Sequence, residues 1–253
     1  MNVEQKKILR SFYVPFLFVA LLWIIKLTEN FTGIELVQLG VRPRHWEGLI
    51  GIATMPFIHA NYEHLISNSI PLLVLGSVVI YFYRESALKT FLLIYFLHST
   101  WLWLAGRDSY HIGASGVVYG LASFVFFSGM IRRHTQLMAI SLLVVFLYGG
   151  MFWGVFPLFL GVSWEAHLTG SIAGILCAWV FRKEGLQRVV YEWDDDNDDI
   201  NFDVAEVVNE GEINPVENPA SPIENNSPPI TGMPVVIHYD FKKASEEKKD
   251  DKD

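Results

Sequence analysis

Six stretches of this chain are apolar over close to the 20 or so residues that a helix needs to cross a bilayer, and they limit the fold more than any other feature. They are Ile8–Leu27, His64–Tyr83, Ala87–Gly106, Ser115–Ile131, Gln136–Phe156 and Ala166–Phe181. Inside hydrocarbon every backbone N–H and C=O must be satisfied within the segment, so such runs become helices. Buried helices of a large soluble α-protein are the alternative. The runs lack a polar face and several are only a few residues apart, which argues against it. The expectation is an all-α fold: a polytopic bundle of six transmembrane helices over residues 1–188, followed by a tail. Lys6, Lys7 and Arg10 ahead of the first run resemble a secretory signal, but that run is long enough to span and no small-x-small cleavage pattern follows it. It reads as a retained first helix.

Charge divides the chain at the same place. Residues 1–188 carry 14 Lys and Arg against 9 Asp and Glu, whereas residues 189–253 carry 5 Lys against 18 acids. Six of the eleven prolines also fall in this second part. A polar stretch with net charge −13 has too little apolar surface to fold alone, so residues 189–253 are expected to be an acidic, mostly disordered tail, open to a cytoplasmic partner. Around the spans, Lys6, Lys7, Arg10, Arg84, Lys89, Arg132, Arg133, Arg182, Lys183 and Arg188 share one side. Lys26, Arg42, Arg44 and Arg107 lie on the other. The positive-inside rule then puts both termini in the cytoplasm, in a cell (plasma or inner) membrane, with the even-numbered helices running inward. The first loop, residues 28–63, is long and holds Trp46, Leu49, Ile50, Ile52, Met55 and Phe57, so part of it is expected in the membrane interface. The single cysteine, Cys177, excludes an intramolecular disulfide and a Cys-based metal site. No nucleic-acid partner is expected.

Polar side chains inside spans are costly and usually face a bundle interior or a cavity. His64 and Asn68 in the second run, Ser115 in the fourth and His167 in the sixth all fall near the start of an even-numbered helix. Connectivity alone therefore sets them at similar depth near the outer surface. Each also has an ordinary reading. Serines in spans commonly bond their own backbone, as expected for Ser77, Ser123, Ser128 and Ser141, and Asn often joins helices. A lone intramembrane histidine such as His98 is more often a packing residue than a catalyst. Local context distinguishes the four. Ser115 lies in Gly113-Ala114-Ser115-Gly116-Val117-Val118-Tyr119-Gly120, where Gly116 and Gly120 form a GxxxG pair; His167 is followed by Gly170 and Gly174, another. Two such faces let backbones approach closely enough for Ser115 and His167 to hydrogen-bond. Tyr119, at i+4 from Ser115, shares that face and can stack on the imidazole. An imidazole suits the task of taking the serine proton. His64 and Asn68, at i and i+4, and the Ser115 backbone N–H are candidate donors to an oxyanion. No acid is placed as a third member, since Glu165 is two residues from His167 and Asp108 is in a loop. The chemistry expected is that of a Ser–His dyad.

At these residues the chain resembles the rhomboid family of intramembrane serine proteases, over about residues 40–181. His59-x-x-x-x-His64-x-x-x-Asn68 looks like the family's oxyanion element. Gly113-Ala114-Ser115-Gly116 with Tyr119 looks like its nucleophile motif, and Ser163 to Gly174 is similar to its base helix. The Trp-Arg pair common in the family's first loop has no counterpart, because Glu47 follows Trp46. The resemblance implies cleavage of transmembrane protein substrates in the lipid bilayer near their outer end, with small residues at the cleavage site. It also implies a six-helix core whose active-site cavity opens outward, and no cofactor or metal. Two rival readings are an inactive relative that binds or chaperones membrane proteins, and a small transporter or channel. The first should lack the nucleophile or the base. The second favours helices broken near midplane.

Overall fold

The computed structural model describes residues 2–158 and 161–187. All of them belong to the first of two units, Met1–Asp194; the expectation of a disordered acidic tail lies outside the described residues. Among those residues the protein is all-helical. Seven α-helices follow in order: α1 (Val3–Thr32), the single turn α2 (Gly51–Thr54), α3 (Tyr62–Phe82), α4 (Ala87–Ala105), α5 (Ser115–Arg132), α6 (Thr135–Tyr148) and α7 (Trp164–Val180). The only strand-like pairing among them is an isolated bridge between Val41 and His111. Five helical segments are long and apolar enough to cross a membrane. The sixth expected run is α7, whose 17 residues sit at the short limit for a span.

Local chemistry sets the helix ends. Asn2 and Gln5 form a capping box at the start of α1, and Gly33, at φ +69°, closes its far end in the left-handed region. Thirty residues make α1 about 45 Å long, longer than the ~30 Å hydrocarbon layer and than the expected Ile8–Leu27. Asn61 caps α3 by accepting the His64 N–H at 2.8 Å. The inward face of α3 follows a 3–4–3–4 spacing through Leu65, Asn68, Leu72, Leu75 and Val79.

Burial orders the helices. The span of α5 has 61% of its residues buried, against 11% for the α6 segment, so α5 is central and α6 is peripheral. The α5–α7 contact is built from the two GxxxG faces. A Cβ on Gly170 would collide with the Gly116 carbonyl, and one on Gly174 with the Gly120 carbonyl. On its other side, Gly116 packs on His98 and Gly120 on Ile94, both from α4. Three helices therefore meet at glycines on α5.

Two details differ from expectation. The run Gln136–Phe156 does not stay α-helical: after Tyr148 the chain tightens into a 3-10 segment, Gly149–Val155, beginning at two consecutive glycines that favour helix poorly. Of the serines expected to bond their own backbone, Ser141 does so through Leu137 O and also reaches Val125 O and Phe126 O of α5. Ser77 and Ser128 find no hydrogen-bond partner among the described residues. The first loop is a succession of short turns, with Met55 buried and Trp46 and Ile50 exposed.

Candidate active site

The N-terminal ends of α3, α5 and α7 come together at one end of the bundle around a cavity of about 790 Å³ lined by His64, Asn68, Ser115, Tyr119 and His167. All five residues singled out from the sequence thus share one cavity. Ser115 is the first residue of α5, so its backbone N–H has no partner within the helix and stands at the positive end of the helix dipole. His167 lies in the first turn of α7, 8% exposed. Its Nε2 is 2.9 Å from Ser115 Oγ, and its Nδ1 is 2.8 Å from the carbonyl oxygen of Gly154.

The second contact assigns the tautomer. A carbonyl oxygen can only accept, so Nδ1 carries the proton, and in the neutral ring Nε2 is the lone-pair nitrogen facing the serine hydroxyl. A backbone carbonyl therefore holds the imidazole in the orientation that a carboxylate gives in a Ser–His–Asp triad. Tyr119 adds a second restraint. Its ring is stacked on that of His167, with centroids 4.0 Å apart and planes at 7°, and its hydroxyl donates to Met151 O at 2.8 Å. Both anchoring carbonyls come from the Gly149–Val155 segment. A Cβ on Gly154 would strike the Tyr119 hydroxyl, so this glycine permits the close approach.

Opposite the dyad, His64 and Asn68 converge on the turn that leads into Ser115. Gly113 has φ +106°, a conformation open to glycine, and its Cα faces the His64 ring: a Cβ there would lie 2.6 Å from Nε2 and 3.7 Å from Asn68 Nδ2. Asn68 Nδ2 donates to His64 O at 3.1 Å and, as an amide, keeps a second N–H for another acceptor. Behind His64, the ring of His59 lies 5.1 Å away and is 1% exposed; burial, with the nearby His64, pushes its pKa down to about 4. His98 is fully buried against Gly116, with Nδ1 unpartnered among the described residues, and is not among the cavity-lining residues. No group of His, Cys, Asp or Glu among the described residues could hold a metal ion.

The rhomboid domain model matches residues 46–184. The chain belongs to the rhomboid family. That match encloses the cavity and each of the three helices that build it. Uncharacterized proteins of Mycobacterium bovis and Mycobacterium tuberculosis are similar to it, each 36% identical over 172 residues that cover 64% of this chain and 72% of theirs. One of Mycobacterium leprae is 34% identical over 173 residues, covering 64% of this chain and 68% of its own. As a rhomboid-family protein with several long apolar helices, the chain is an integral membrane protein.

Several residues at this rhomboid site have no signature in the sequence. The carbonyls of Met151 and Gly154 are backbone atoms, and their usefulness depends on a local switch from α to 3-10 geometry. The loops at this end of the bundle are also joined: Arg42 Nε meets Asp108 at 3.0 Å, which holds that carboxyl below the usual carboxylate range. Arg44 donates to Gly106 O at 2.8 Å. Glu165 makes no hydrogen bond to His167, whose ring nitrogens meet Gly154 O and Ser115 Oγ, and instead reaches Arg107 Nε at 3.5 Å.

Proposed function

We propose that this rhomboid-family protein is a serine endopeptidase that hydrolyses peptide bonds in or near the transmembrane segments of other membrane proteins. The observation that carries the reading is the 2.9 Å contact between Ser115 Oγ and a His167 Nε2 left as acceptor by the Nδ1–H bond to Gly154. In this scheme Oγ attacks the scissile carbonyl while Nε2 takes its proton. The oxyanion accepts hydrogen bonds from the Ser115 N–H, His64 and Asn68 Nδ2. His167 then returns the proton to the leaving amine, which departs and leaves an acyl ester on Ser115. Water, deprotonated by the same nitrogen, hydrolyses that ester and restores the serine. Side chains and backbone suffice for every step. A base with its tautomer set by Gly154 O, in a cavity that donor groups also line, supports this reading over a passive binding pocket.

The test uses the full chain in liposomes, a single-span model substrate and a fluorophosphonate probe. Wild type cleaves and is labelled. Ser115→Ala and His167→Ala insert normally and do neither, and the double variant is no worse than either single one, because the two act as a unit. Cleavage by purified Ser115→Ala would overturn the mechanism. We also place both termini in the cytoplasm, on the basic residues counted above. A cysteine at Ser221 in a Cys177→Ala background should react only with reagents that reach the cytoplasmic side.

A further inference from the structure

Ser163 immediately precedes α7, the position where serine ordinarily caps a helix by accepting a backbone N–H. Here its side chain makes no capping bond. Its Oγ lies instead 2.5 Å from Nδ1 of His111, 52 residues earlier in the chain. The other nitrogen of His111, Nε2, is 3.1 Å from Arg107 O. A carbonyl only accepts, so Nε2 carries the proton, and the Ser163 hydroxyl donates to Nδ1 of the neutral ring. Arg107 adds two more ties to the same short segment: Nη2 donates to Val162 O at 2.7 Å, and Nε faces Glu165 at 3.5 Å. Val162, Ser163 and Glu165 are thus all held from one loop.

That loop is itself fixed. His111 exchanges backbone hydrogen bonds with Val41 at 2.8 and 2.9 Å, and Gly113 N donates to Met55 O at 3.0 Å. His111 stands four residues ahead of Ser115, and Ser163 four residues ahead of His167. The second Ser–His contact therefore joins the lead of the nucleophile's helix to the lead of the base's helix, one turn outside the first. The glycine faces set how closely α5 and α7 approach along their bodies. Gly116, already in the first turn of α5, belongs to that contact and lies near Ala166 O, but the residues leading into the two helices, ahead of backbone N–H groups that lack intrahelical partners, are held by the loop contacts just described.

We propose that His111 and Ser163, assisted by Arg107 and Glu165, are positioning residues that fix the first turns of α5 and α7 so that Ser115 and His167 meet at reacting distance. The proposal rests on the dyad reading above and deepens it. Positioning of this kind acts on the chemical step, because a misplacement of about 1 Å can slow a reaction by ~10²-fold. His111 and Ser163 also line the cavity, and a direct role in holding substrate would instead raise KM.

The experiment compares His111→Phe, Ser163→Ala, their double variant and Ser163→Thr with wild type, as full-length protein in liposomes. The readouts are substrate cleavage, fluorophosphonate labelling and amide hydrogen exchange over residues 162–168. His111→Phe and Ser163→Ala should each lower kcat and the labelling rate by roughly tenfold or more with KM unchanged, within the range misplacement allows. The double variant should be no slower than the slower single one, since both remove one contact. Ser163→Thr, which keeps the hydroxyl, should recover most of the rate. Exchange over 162–168 should quicken in the two disrupting variants, a readout that needs no activity. An inactive, unlabelled wild type would sink the dyad reading, while exchange would still judge the clasp. Exchange equal to wild type in both disrupting variants, KM effects alone, or multiplying effects of the two substitutions would overturn the proposal.

Discussion

A serine hydroxyl becomes a nucleophile only when its proton has somewhere to go, and an imidazole serves only in the right tautomer. The sequence shows both partners but not the restraint on the second, since a backbone carbonyl looks alike at every position. Ser115, His167, His64 and Asn68 could be singled out because polar side chains are rare in spans and the second, fourth and sixth apolar runs start at one level, and Tyr119 because it lies four residues from Ser115. Gly154 and Met151 could not. Two consequences belong at this scale. If His64 and Asn68 stabilise an oxyanion, His64→Ala and Asn68→Ala each lower kcat, by up to the ~10²–10³-fold typical of losing one such donor; unchanged rates at equal folding would leave them as helix contacts. His59 gives a pH signature. Its pKa falls from an ordinary 6.5 to about 4 in the folded protein, so the unfolded chain binds the proton more readily. Its contribution to stability is complete above pH 6.5 and is lost as pH falls towards 4. Melting temperatures in detergent should fall across that window, and His59→Gln should make the slope shallower. An equal slope in the variant would assign the pH dependence to other groups.

Between elements, the decisive contacts are made by residues without side chains. The paired GxxxG faces were legible because small residues four apart have one obvious use in a membrane helix. Which glycine meets which carbonyl depends on the crossing of α5 and α7 and is visible only in three dimensions. The fifth apolar run does form a candidate span, Thr135–Val155, but its change of geometry was not legible, for a related reason. Hydropathy registers apolar residues alike in α and 3-10 geometry, so Gln136–Phe156 scanned as one helix, while Gly149 and Gly150 allowed the chain to tighten. The two kinds of glycine give a paired test. A methyl on Gly174 collides with the Gly120 backbone, whereas one on Gly150 meets nothing within 4 Å. Gly174→Ala should destabilise by the ~1–3 kcal/mol typical of overpacking and separate Ser115 from His167, with labelling and melting temperature falling together. Gly150→Ala should change neither. Equal behaviour of the two variants would mean that the α5–α7 contact tolerates a wider spacing.

At the scale of the whole molecule the question is what residues 189–253 add. They begin after α7 and hold none of the motif residues read from the sequence, and their 18 acids against 5 Lys form the strongest charge feature of the chain. If both termini are cytoplasmic, this charge faces the side away from the dyad, across a hydrocarbon core of ~30 Å. With a Debye length of ~8 Å in the cytosol, its direct electrostatic effect on Ser115 is small. Anionic lipid repels it from the inner leaflet as well, which leaves the segment available to a soluble partner or to control of turnover. Truncation after Arg188 should therefore preserve kcat/KM within about twofold, a difference of roughly 0.4 kcal/mol in barrier, both in detergent and in liposomes. The liposome arm matters because a tail that acted through the membrane surface would show its effect only there. Loss of activity in a truncated protein that melts like the full chain would mean that the acidic segment supports the helical core directly, and the division of this chain into a catalytic bundle and a separate tail would fail.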